Sequence, residues 1–170
     1  VKYIKFLILL FVLNGFSALA GAFPPPAPAS ATCRITCRVA EVIEWSDASF
    51  SEIDLGELSP RRTETAGQSV LTLYTNGDVM ITADNSPTAE LSNGTHRIQT
   101  QYQLRYDSGI LSTEWCAYDV FLKEALEIVH NQTDGGVVVI LSVKARENDF
   151  QPGSGGEYTA VQTLTACWKS

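Results

Sequence analysis

The chain has 170 residues, with 12 lysines and arginines against 19 aspartates and glutamates and a formal net charge of −7. That balance argues against nucleic acid and anionic lipid surfaces as partners, because both repel an acidic protein. With 45% hydrophobic residues, the chain is long and apolar enough for one packed core.

The N-terminal stretch carries basic Lys2 and Lys5, an apolar run from Phe6 to Leu13, and then small residues at Ala18, Ala20 and Ala22. This is the order of a secretory signal peptide over residues 1–22, with cleavage expected after Ala20 or Ala22. The apolar run is shorter than the roughly 20 residues a membrane span needs. No span is therefore expected once the signal is removed, and the protein is expected to be secreted or held at the cell surface. Residues 23–32, FPPPAPASAT, read as a proline-rich leader that stays extended and unpacked. Residues 33–170 read as a single domain.

In CRITCRV, Cys33, Ile35, Cys37 and Val39 alternate with Arg34, Thr36 and Arg38, which predicts a half-buried first strand. A second short strand, broken near Gly56, is expected in FSEIDLGEL. The run SVLTLYTNGDVMITAD places two β-rich segments either side of Asn76-Gly77, a pair suited to a type I′ hairpin turn. Next, Ile98, Thr100, Tyr102, Leu104 and Tyr106 alternate with Gln99, Gln101, Gln103 and Arg105, so one face should be buried and the other wet. In DVFLKEALEIVH, Leu122, Leu126 and Val129 fall at helical spacing behind Asp119, which predicts a short helix, with a strand as the alternative. The β-branched run VVVILSVKA reads as a central strand. The turn QPGSGG then leads into a closing strand. Together these elements predict an all-β fold: an immunoglobulin-like antiparallel β-sandwich of about seven strands with one short helix insertion.

Four cysteines, Cys33, Cys37, Cys116 and Cys167, predict two disulfides in an exported chain. In a strand, Cys33 and Cys37 would stand roughly 13 Å apart, too far to bridge. Each is expected to reach Cys116 or Cys167, with either assignment open. A zinc site is disfavoured because Cys116 and Cys167 each stand alone in the sequence.

Other chemistry is thin. His96 and His130 are the only histidines, no serine sits in a nucleophile-elbow pattern, and no catalytic residue is assigned. Asp47, Glu52 and Asp54, or Glu147 and Asp149, lack the spacing of a calcium loop. No metal or cofactor is expected. Trp45, Trp115 and Trp168 read as core plugs before they read as a sugar-stacking platform. Asn93 and Asn131 open sequons for N-glycosylation.

Two stretches, LSNGTHRIQTQYQLRYDSGILSTEW and GGEYTAVQTLTACW, resemble the β-sandwich families of spore coat protein U and the chaperone–usher pilins. The likeness covers roughly the C-terminal half. It rests on Tyr102, Leu104, Tyr106 and Asp107, then on Gly156 with Tyr158 opening the last strand. Gly156 lies fourteen places before the last residue and Trp168 supplies a near-terminal aromatic, one place earlier than the tyrosine of the pilins. The helical insertion expected at 119–130 departs from the family pattern. The resemblance implies a terminal assembly strand carrying Gly156, Tyr158, Leu164 and Trp168. It also implies self-assembly, or a chaperone partner, through an exposed strand. The expectation is an exported, non-enzymatic structural or adhesive subunit, with a secreted carbohydrate-binding module that takes a glycan as the alternative.

Overall fold

A computed structural model of the chain describes residues 27–106, 111–129, 135–152 and 154–169. The expected signal peptide, the first residues of the proline-rich leader, Asp107, His130 and Asn131 lie outside them. The chain divides into two units, Val1–Arg38 and Val39–Ser170. In the first unit, residues 27–38 are irregular and exposed. The strand expected at Cys33–Val39 is therefore not formed. Ile35 is 88% exposed, and alternation without a pairing partner leaves the backbone groups to water.

The second unit is all-β and consists of two antiparallel sheets. The larger is ordered around strand β8 (Gly136–Arg146). On one side β8 pairs with β2 (Glu64–Thr75), which in turn carries the short β1 (Ile43–Trp45). On the other side it pairs with β4 (Gln99–Tyr106), which carries β5 (Leu111–Ser112) and β6 (Cys116–Ala117). The central position expected for VVVILSVKA is thus observed. Its alternation explains the placement: Val137, Val139, Leu141, Val143 and Ala145 are buried, while Val138 and Arg146 are exposed. Partner strands match this register, with Leu73 opposite Val137 and Leu104 opposite Leu141. β4 shows the expected two faces, Thr100, Tyr102, Leu104 and Tyr106 being buried.

The smaller sheet has the order β7 (Leu126–Ile128), β3 (Val79–Ala83), β9 (Leu164–Trp168). Val79, Ile81 and Ile128 are fully buried and share one core with Leu73, Leu104 and Val139 of the larger sheet. Phe121 is also fully buried and lies 5.4 Å from Tyr102 ring to ring. Among the described residues no helix is long and apolar enough to cross a membrane.

Three expectations are corrected here. Asn76-Gly77 does not close a hairpin, because β2 and β3 belong to different sheets and neither residue has the positive φ of a type I′ turn. The Asn76 side chain is otherwise engaged: Oδ1 accepts from Val42 N–H at 3.0 Å and Nδ2 donates to Ala40 O at 2.7 Å. Gly77 is needed for space. A Cβ there would stand 2.7 Å from the Trp168 ring.

Of the helix expected over 119–130, the described residues 119–129 form turns and β7 instead. Val120 and Phe121 N–H both donate to Ala117 O, but Leu122 enters the left-handed region at φ 48°, which ends helical winding. Asn85 Nδ2 then holds the turn, donating to Tyr118 O and Phe121 O at 2.8 Å each. Leu126 and Ile128 continue as strand residues, paired with Ile81 and Val79.

The predicted disulfides are absent: all four cysteines are free. Cys116 is half-buried against the core in β6 of the larger sheet. Cys167 is in β9 of the smaller sheet, at an exposed position of that strand. Cys33 and Cys37 are exposed in the irregular stretch 27–38.

A candidate strand-accepting groove

A groove of about 930 Å³ opens in the smaller layer. Its walls are residues 48–58 and 154–164, and its floor is the inner face of the larger sheet at Leu71, Tyr102, Leu141, Val143 and Ala145.

The first wall contains FSEIDLGEL, expected as a strand but paired with none. Phe50, Ile53 and Leu55 pack on the core. They come close because Gly67 of β2 has no side chain: a Cβ there would lie 2.5 Å from Ile53 Cγ2 and 3.1 Å from Leu55 Cδ2. Thr65 Oγ1 donates to Leu55 O at 2.6 Å, and itself accepts from Arg62 at 2.8 Å. Gly56, at φ 67°, bends the wall away, and its N–H donates to Asp54 Oδ1. Residues 48–58 make no backbone–backbone hydrogen bond among the described residues.

The second wall is the approach to β9. The closing strand, expected to open at Tyr158, begins as a ladder only at Leu164. Before it, Thr159 exchanges both backbone bonds with Ser92, Val161 N–H donates to Thr88 O, and Thr163 O accepts from Asp84 N–H. Residues 159, 161 and 163 therefore turn their backbone groups toward 84–92. By the two-residue repeat of an extended chain, Tyr158, Ala160 and Gln162 turn theirs the other way, where no backbone partner is found among the described residues. Gln162 lines the groove; its Nε2 donates to Asp84 O at 3.0 Å, and its Oε1 is buried without a partner. Among the described residues β9 itself pairs only with β3.

The support behind this wall is electrostatic as well as steric. The Asp84 carboxyl is held below the usual aspartate range, first by the Ser86 backbone N–H, then by the Ser86 and Thr88 hydroxyls. On the floor, Tyr102 donates its hydroxyl to Ala89 O at 2.7 Å. Burial pushes its phenol up to about 12.

Among the described residues five carboxylates line the groove, Glu52, Asp54, Glu57, Glu147 and Glu157, and no lysine, arginine or histidine does. Arg62 lies just behind the first wall, on Thr65. Among the described residues none of the five acids forms an ion pair.

Of the residues expected on the terminal strand, Gly156, Tyr158 and Leu164 line the groove. Trp168 lies further along, against Gly77. None of the four cysteines contributes to the groove. The other tryptophans are half-buried: Trp45 packs on Phe50 with ring centres 5.9 Å apart, and Trp115 lies beneath Lys144 at 4.5 Å. His96 is half-buried in the 92–97 turn, its N–H donating to Asn93 Oδ1. Among the described residues no three histidine, cysteine, aspartate or glutamate side chains converge as a metal site. Sequence reasoning missed Gln162, and it read the first wall as an ordinary strand, with Glu52 and Asp54 noted only for lacking the spacing of a calcium loop. The alternation of Tyr158, Ala160, Gln162 and Leu164 with Thr159, Val161 and Thr163 was the available signal for the second wall.

No protein-family model and no curated protein matches the chain.

Proposed function

We propose that the protein is an exported, non-enzymatic structural or adhesive subunit of the cell surface, similar in kind to the pilins and spore coat protein U. Its groove receives a β-strand from another molecule. One observation carries this reading: residues 48–58 and 154–164 line one groove over an apolar floor, and among the described residues 48–58, Tyr158, Ala160 and Gln162 have no backbone hydrogen-bond partner. An inserted strand would satisfy these groups and bury its alternate side chains on the floor. Four inserted side chains at about 1.5–3 kcal/mol each amount to roughly 6–12 kcal/mol, before the cost of ordering the strand. Within this chain, Cys33–Val39 is the segment best suited to donate, since it alternates in sequence and is exposed outside the sheets. The carbohydrate-binding alternative has less support, because Trp115 and Trp168 pack outside the groove and Trp45 alone of the three tryptophans lines it.

Amide hydrogen exchange on the chain, measured in dilute and in concentrated solution, tests the proposal. Amides of Tyr158, Ala160 and Gln162 should exchange quickly when dilute and become protected as larger species form. A monomer at every concentration, with those amides unprotected and no partner strand bound, would remove the subunit reading.

A further inference from the structure

We infer that the groove selects its strand by charge: its unpaired carboxylates admit a donor with basic side chains on the solvent face, and Cys33–Val39 of a second copy is that donor. This rests on the strand-accepting reading above. In the first wall, Ile53 and Leu55 turn to the core while Glu52 and Asp54, which alternate with them, are exposed. Glu157 is exposed on the opposite wall. The acids thus stand on both rims, on the solvent side of the layer. A strand seated between the walls places its outward side chains beside them as cross-strand neighbours, where opposite charges attract and like charges repel.

Cys33–Val39 matches this arrangement. With Cys33, Ile35, Cys37 and Val39 directed to the apolar floor, Arg34, Thr36 and Arg38 face outward. The two arginines are then roughly 13 Å apart along the strand, so they meet different parts of the rim. The floor-directed side chains are small to medium, and no acid lies between residues 33 and 39. The buried, unpartnered Gln162 Oε1 offers an acceptor for a donor brought by the incoming chain. An acidic or neutral strand would leave the five carboxylates with no counter-charge from its outward face.

The test uses the full chain in reducing buffer and a fluorescent peptide spanning residues 32–40 with Cys33→Ser and Cys37→Ser. Binding should be saturable, at least about tenfold weaker for the peptide with Arg34→Glu and Arg38→Glu, and weaker in 0.5 M than in 0.05 M salt, as screening requires. Glu52→Lys with Glu157→Lys in the protein should reverse the preference. Both sites are exposed, and Glu52→Gln with Glu157→Gln gives a milder second variant that should narrow the preference. Equal binding of both peptides at both salt concentrations would overturn charge selection and leave strand acceptance standing. If neither peptide binds at any salt concentration, both this inference and the proposed function fail.

Discussion

Strand β8 is hydrogen-bonded along both edges, to β2 over eleven residue pairs and to β4 over eight, whereas β9 is bonded along one edge over five. The larger sheet therefore fixes its backbone by mutual pairing. The smaller layer leans on that sheet, through Val79, Ile81 and Ile128, and leaves part of its own area unfilled. Local stability follows pairing and burial. The difference teaches that one layer specifies the fold and the other leaves a groove open.

The comparison can be broken most directly at the shared core. Leu104→Ala removes a fully buried side chain from β4 and should lower unfolding stability by about 2–5 kcal/mol, read as a lower urea midpoint for the whole unit. A smaller effect is expected from Gly67→Ala. The new methyl meets Ile53 and Leu55, so it should cost about 1–3 kcal/mol and loosen residues 50–58 while the β2–β8 amides stay protected in hydrogen exchange. The smallest is Tyr102→Phe, about 1 kcal/mol near neutral pH for the bond to Ala89 O. This variant also sharpens the comparison at alkaline pH. The phenol is raised to about 12 in the folded chain, against about 10 unfolded. Its contribution is whole below pH ~10 and lost as pH climbs toward ~12, so Tyr102→Phe should flatten that part of a pH–stability curve.

The larger sheet was the legible part. Residues 98–106 and 137–145 write their buried faces in a two-residue repeat, and the structure follows it. Partner choice was not legible. Asn76-Gly77 marks a turn locally, but whether the strands beyond it pair depends on β8, about sixty residues later in the chain. The helical spacing of Leu122, Leu126 and Val129 was overridden by the burial of Phe121 and the left-handed Leu122. Of the groove, Gly156, Tyr158 and Leu164 were found through a resemblance. The first wall was hidden because its residues make no ladder and owe their position to a missing side chain at Gly67. The cysteines misled for a related reason: composition suggested staples, while the folded chain leaves all four free.

The approach of Trp168 to Gly77 constrains how this protein can vary over generations. Neither position is free to change alone: a methyl at 77 collides with the indole, and a smaller ring at 168 leaves a hole above the turn. A chain that swaps the indole for a shorter side chain gains room for alanine or serine at 77. The two sites, ninety-one residues apart in sequence, should therefore substitute as a pair.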